Sequence, residues 1–201
     1  MKNIIFDLGG VILNINYFLT EEEFKKLGIS NFDELFSQMK QSDLFDRLET
    51  GVIGETEFCD ELRAISNTKL SNEQIVYAWN KMLLDLPSER LTLLESLKEK
   101  YNLFLFSNTN IIHLEAFNKI IQDQHGIPNI DSYFTTAYYS HEFGHRKPHP
   151  ESFQELLDRE GLKAEETLFI DDTIHHVEGA RKTGIKGIFL DKDQTILDLD
   201  F

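Results

Sequence analysis

Apolar positions along the chain fall into two kinds of run, and their order predicts the architecture. Asn3-Ile4-Ile5-Phe6 is nearly continuous in apolar character, ends at Asp7 and breaks at Gly9-Gly10. This is the pattern of a strand covered on both faces that hands a carboxylate to a sharp turn. Leu103-Phe104-Leu105-Phe106 repeats it, and further short runs stand at 133–137, 167–170 and 187–190. Between them apolar residues recur at helical spacing: Phe117 with Ile120 and Ile121, Phe153 with Leu156 and Leu157, Val177 with Ala180. Pro150 at a first helical turn, and Gly161 and Gly184 just past helix ends, punctuate these units.

Residues 15–87 read differently, as helix after helix. Thr20 with Glu23, Asn31 with Glu34 and Ser71 with Gln74 have capping-box spacing, in which two side chains satisfy orphan amides at a helix start. Gly51 to Gly54 reads as a turn, and Phe58, Leu62 and Ile65 then share one helical face. The last helix of this block carries Trp79, Met82 and Leu83 and is expected to end near Pro87, before another at 88–100. Strands alternating with helices imply a parallel sheet with crossover connections. The fold class is therefore α/β: a Rossmann-like parallel-sheet core, residues 1–14 and 88–201, with an all-helical cap, residues 15–87, inserted after the first strand. A cap entering there would lie over the strand end that presents Asp7.

Composition narrows the partners. Twenty Lys and Arg against 35 Asp and Glu give a formal charge of −15, which opposes nucleic acid or an anionic membrane surface. The single cysteine, Cys59, excludes an intrachain disulfide and suits a reducing compartment. With no signal-peptide pattern, and no apolar run near the ~20 residues of a membrane span, a cytoplasmic protein is expected.

Ligands of an open α/β sheet sit at the carboxyl ends of its strands, and four such ends carry chemistry. Asp7 is placed as a nucleophile or a metal ligand, although a carboxylate capping a strand would look the same. Ser107-Asn108-Thr109 follows the second strand, with hydroxyls and an amide suited to phosphate oxygens at a helix start. Arg146-Lys147-Pro148 holds a cation among turn residues, where Lys147 could neutralise a carboxylate and a phosphoryl group. Asp171-Asp172 ends a buried run. Two adjacent carboxylates there repel each other, which a hard cation such as Mg²⁺ would compensate.

In this order the four stretches resemble the motifs of the haloacid dehalogenase-like hydrolase superfamily, in the branch whose helical cap follows the first motif. The match runs over Phe6-Asp7-Leu8-Gly9-Gly10-Val11, Leu105 to Thr109, Arg146 to Pro148, and Phe169 to Asp172 with Val177-Glu178-Gly179-Ala180. Phe45 to Ile53, before a helix, adds a weaker likeness within the cap. The resemblance implies a Mg²⁺-dependent phosphatase of a small phosphorylated metabolite. Asp7 would form an aspartyl-phosphate, Ser107, Asn108 and Lys147 would bind the phosphoryl group, and Asp7, the Gly9 carbonyl and Asp172 would hold Mg²⁺ with Asp171 supporting.

Two departures stand out. The family's phosphatases usually carry a second Asp two residues after the nucleophile, as leaving-group acid; here the residue is Gly9. That pattern most resembles the sugar-phosphate (α-glucose-1-phosphate) phosphatase branch. It leaves open an ester with an easy leaving group, a substitute acid such as His175 or His176, a 2-haloacid dehalogenase, or a non-catalytic phosphoryl-binding protein. The second departure is His176 itself, where the family often has Asp or Asn.

Overall fold

The computed structural model describes residues 1–41 and 43–201, with the side chains of 37–41 outside the description. Strand β1 (Asn3–Phe6) leads into a helical block: α1 (Tyr17–Lys26), α2 (Phe32–Gln41), α3 (Leu44–Glu49), α4 (Glu55–Ser66) and α5 (Asn72–Asn80). Helix α6 (Ser88–Lys98), strand β2 (Asn102–Ser107), helix α7 (Ile111–His125), strand β3 (Thr136–Tyr139) and short helix α8 (Ser140–Phe143) follow. Helix α9 (Pro150–Glu160), strand β4 (Thr167–Asp171), helix α10 (Ile174–Arg181) and strand β5 (Lys186–Phe189) complete the order.

The five strands form one parallel sheet in the order β3-β2-β1-β4-β5, so β1 is central. Its residues are apolar on both faces because both faces are covered. Ile4 and Phe6 pack with Leu105, Ile170, Leu94 and Phe117 on one side, and Ile5 packs with Phe104, Phe153, Phe169 and Val177 on the other. Phe6 lies beside Leu105 and Ile170 in register. That register brings Asp7, Ser107 and Asp171 out at the same edge of the sheet.

The helical block has a core of its own. Phe24, Phe58, Leu62, Ile75 and Trp79 form it, and Ile112 of α7 packs into it from the rest of the chain. The two segments that enter and leave the block run side by side: Asn16 N donates to the Met82 carbonyl (2.8 Å) and Leu84 N to that of Asn14 (3.0 Å).

Several element limits depart from expectation. Helix α1 begins at Tyr17, capped by Asn16, whose side chain accepts from Phe18 N. Thr20 is instead buried inside the helix, where its hydroxyl donates to the Trp79 carbonyl and accepts from Met82 N, both at 3.1 Å. A tertiary contact has overridden a local capping pattern. Helix α5 ends at Asn80, because Met82 and Leu83 belong to the paired linkers. The third strand starts three residues late, since Asp131–Tyr133 turns into a 3-10 segment with Asn129 Oδ1 accepting from Asp131 N.

Candidate active site

Asp7 leaves β1 nearly buried, its Oδ1 accepting from Leu8 N at 2.7 Å. The chain then folds back on itself, Ile12 N and Leu13 N both reaching the Leu8 carbonyl at 2.8 Å. Gly10 makes this turn possible in two ways. Its φ is +76°, and a Cβ there would lie 2.1 Å from Asp172 Oδ2. Only a bare Cα lets the Asp172 carboxylate settle over the turn.

Lys147 stands at the centre. It is fully buried, with Nζ 2.7 Å from Asp7 Oδ1 and 2.8 Å from Asp171 Oδ2. Burial works against its charge, but Asp171 and Asp7 outweigh burial and hold its pKa above the ordinary lysine value. The rings of Phe106 and Phe169 flank the ammonium. Asn108 clamps the backbone here: its amide donates to the Lys147 carbonyl and accepts from Lys147 N, each at 2.9 Å. The side chain expected to bind phosphate is thus engaged in holding the lysine. Ser107 is buried at the end of β2, and the loop after it is pinned by Ser140, whose hydroxyl accepts from Thr109 N and donates to the Thr109 carbonyl.

Asp171 is the most heavily bonded carboxylate, accepting from Thr173 N at 2.7 Å and lying 3.0 Å from His176 Nδ1. Burial acts to raise its pKa, yet Lys147 and His176 together bring it well below the usual carboxylate range. Asp7 moves the other way: burial and the charges of Asp171 and Asp172 raise it, against the pull of Lys147. Asp172 is raised by burial and by Asp171. Three carboxylates therefore face one ammonium, and the excess negative charge falls on Asp7 and Asp172.

That imbalance suits a divalent cation. Asp7 has one oxygen on Lys147, and Asp172 makes no ion pair among the described residues; carboxylate oxygens held this way suit a hard cation such as Mg²⁺. Asp7, Asp171 and His176 also have ligand atoms within 4.8 Å of one another. Lys147 already bonds both carboxylates of that triangle, so an ammonium takes the place of a metal there.

His175 is directed away, exposed and 3.4 Å from Glu178. The site also gains residues beyond the four motifs. Arg146 reaches from the Lys147 loop to α3, ion-pairing with Asp46 and, at 2.8 Å, with Glu49. A cavity of 570 Å³ lies between the helical block and the strand ends, with Tyr17, Glu49, Trp79, Asn108, His113 and Arg146 in its wall. Nothing in local spacing connects Glu49 to Arg146; the signal was the Phe45–Ile53 likeness.

The parallel sheet, the carboxylates at its central strand ends and the buried lysine between them define a hydrolase of the haloacid dehalogenase-like class. The chain belongs to that family, whose model, haloacid dehalogenase-like hydrolase, matches residues 1–184. It is 29% identical over 186 residues to D-ribitol-5-phosphate phosphatase of Bacteroides thetaiotaomicron, covering 92% of this chain and 90% of that one. A HAD family enzyme of the same organism, solved with magnesium and inorganic phosphate, superposes with TM-score 0.84 at 35% identity, covering 96% of each chain. A predicted HAD-like family hydrolase from Porphyromonas gingivalis gives TM-score 0.85 at 32% identity, covering 96% of this chain and 93% of that one. Among the described residues no helix is long and apolar enough to cross a membrane.

Proposed function

We propose that the protein is a Mg²⁺-dependent phosphatase acting on a small phosphorylated metabolite through an aspartyl-phosphate on Asp7. The observation that carries this reading is the buried Lys147 shared between Asp7 and Asp171, beside an Asp172 carboxylate that makes no ion pair among the described residues and is raised by burial and by Asp171. A dehalogenase needs no cation, and the surplus carboxylates would repel its anionic substrate.

In this mechanism Lys147 orients the Asp7 oxygen and draws charge from the phosphoryl group, while Ser107 donates to that group from the adjacent strand end. Asn108 and Ser140 fix the two loops on which these groups stand. Asp171, held by Thr173 N and His176, keeps the ammonium in place. Asp7, Asp172 and the Gly9 carbonyl would hold Mg²⁺, which supplies Lewis-acid stabilisation of phosphoryl charge when bound. Asp7 attacks phosphorus, the ester oxygen leaves, and water then hydrolyses the acyl phosphate. Gly9 brings no side chain to protonate the leaving oxygen.

The helical block, residues 15–87, serves as the cap that selects the leaving group. The name of the Bacteroides relative supports a sugar or polyol phosphate as substrate. A cytoplasmic enzyme accords with the lone, buried Cys59.

A panel of sugar, polyol and aryl phosphates, assayed for phosphate release with Mg²⁺ and with EDTA, tests the reading. Activity with Mg²⁺, lost in EDTA and in Asp7→Asn, is expected. Full activity of Asp7→Asn, or metal-free halide release from a haloacid in place of phosphate release, would overturn it.

A further inference from the structure

Resting on the phosphatase reading, we propose that Glu49 is the acid and base of this reaction, replacing the side chain that Gly9 lacks. Gly9 has no side chain, and its nearest neighbour on that face is an apolar methyl: a Cβ there would lie 3.1 Å from Ile15 Cδ1. The wall opposite, across the cavity, carries a carboxyl. Glu49 ends α3 on that wall, facing Asn108 and Arg146 of the core.

Its position is built in. The turn after α3 sits so close to α8 that a Cβ on Gly51 would lie 2.1 Å from the His141 carbonyl oxygen. Arg146 then grips Glu49 from the residue next to Lys147, with Nη2 2.8 Å from Oε2. Oε2, the oxygen that Arg146 approaches, is closed to solvent, and the residue lines the cavity. Arg146 divides its charge between Glu49 and Asp46.

The charged and titratable groups around Glu49 include Arg146 and Lys147 from the motif loop, Asp43 and Asp46 at the start and on the body of its own helix, Tyr17 on α1, His113 on α7 and His141 on α8, against the turn that follows Glu49. Asp46 is committed to Arg146. His113 is satisfied as a neutral ring between Asn110 and the Trp79 carbonyl. Tyr17, though largely exposed, stands among the charges of Asp7, Asp172 and Glu49, which hold it above the ordinary phenol value so that it gives up its proton poorly. Burial pushes the Glu49 carboxyl up to about 7, against the opposing field of Lys147. Arg146 beside it favours the carboxylate, so both forms are within reach near neutral pH, as a group that gives and then takes a proton requires.

As Asp7 attacks phosphorus, the P–O bond to the alcohol breaks, its electron pair stays on the alcohol oxygen, and the Glu49 carboxyl proton moves to that oxygen. The Glu49 carboxylate then takes a proton from the water that attacks the aspartyl-phosphate. The Asp7–P bond breaks, the Asp7 carboxylate leaves, and protonated Glu49 is restored.

Glu49→Gln followed by stopped flow with p-nitrophenyl phosphate and Mg²⁺ tests this. Nitrophenolate needs no proton to leave, so a burst of one equivalent close to the wild-type rate is expected. Steady-state turnover behind it should fall about 10²-fold, since the base for the second step is gone. A second measurement needs no variant: wild-type kcat/KM for ribitol 5-phosphate should fall as pH rises through about 7, and that for p-nitrophenyl phosphate should not. Loss of burst and steady state in equal measure, an unchanged steady state, the same burst in Tyr17→Phe, or a common pH profile for both esters would each overturn the role of Glu49. An inactive wild type would overturn the phosphatase reading itself, whereas active wild type with any of those four results removes Glu49 alone.

Discussion

Lys147→Met removes the charge at the centre of the site and keeps an aliphatic stem between the Phe106 and Phe169 rings. Two ion pairs, 2.7 Å to Asp7 and 2.8 Å to Asp171, vanish together. Stripping one partner from a buried pair costs about 3–5 kcal/mol, because the remaining charge has no compensation. A whole domain has only about 5–15 kcal/mol. At about 2–4 °C per kcal/mol for a chain of this size, Tm should drop by roughly 6–20 °C.

The pH dependence between pH 5 and 8 should steepen as well, because Asp7 is already raised there and Asp171 would join it. In the wild type Asp171 has a depressed folded pKa, so its contribution is present above the ordinary carboxylate value and is lost as pH falls through the folded one. Without Lys147, burial would raise Asp171 as it raises Asp7. The native state would then hold more protons than the unfolded chain above the ordinary carboxylate pKa, and stability would rise on acidification. Urea denaturation in EDTA between pH 5 and 8 reads both effects, and added Mg²⁺ should recover part of the loss. A deficit below about 1 kcal/mol at pH 7.5, the scale of a surface pair, would refute the reasoning.

Gly10→Ala should fold with a loss of about 1–2 kcal/mol for its left-handed backbone, and should weaken Mg²⁺ binding at least tenfold by displacing Asp172; titration calorimetry checks it, and wild-type affinity would count against Asp172 as a ligand. His113 gives a separate signature in acid. Burial lowers its pKa to about 4, so the unfolded chain binds the extra proton between the ordinary histidine value and 4, and stability falls across that window as pH drops. The effect is about 3 kcal/mol at ~1.36 kcal/mol per pKa unit, and His113→Gln should flatten the slope of urea-derived stability over that range.

The sheet was legible because each buried strand is a short apolar run closed by a polar residue, and Asp7, Ser107 and Asp171 mark three of those closures. What stayed hidden was contact across long separations. Thr20 reads as a cap by spacing but spends its hydroxyl on Trp79 and Met82. Asn108 reads as a phosphate ligand, yet its amide is matched to the Lys147 backbone, 39 residues on. Ser140 lies within no motif, and its hydroxyl pins the Thr109 backbone. Charge counting anticipated the carboxylate excess; it did not foresee that Lys147 would bond Asp171 and leave Asp172 without an ion pair among the described residues.

The central place of β1 has a consequence for how the molecule is assembled. Asn3 meets Asn102 and Thr167, partners 99 and 164 residues away. Neither edge of β1 has a hydrogen-bonding neighbour close in sequence, so its pairing must wait for loop closures across the whole helical block and then across most of the chain. Such distant pairings are slow to form and leave apolar strand edges open meanwhile. The helical block can gather its own apolar core early, whereas Asp7 meets Lys147 and Asp171 only when the last third of the chain has docked.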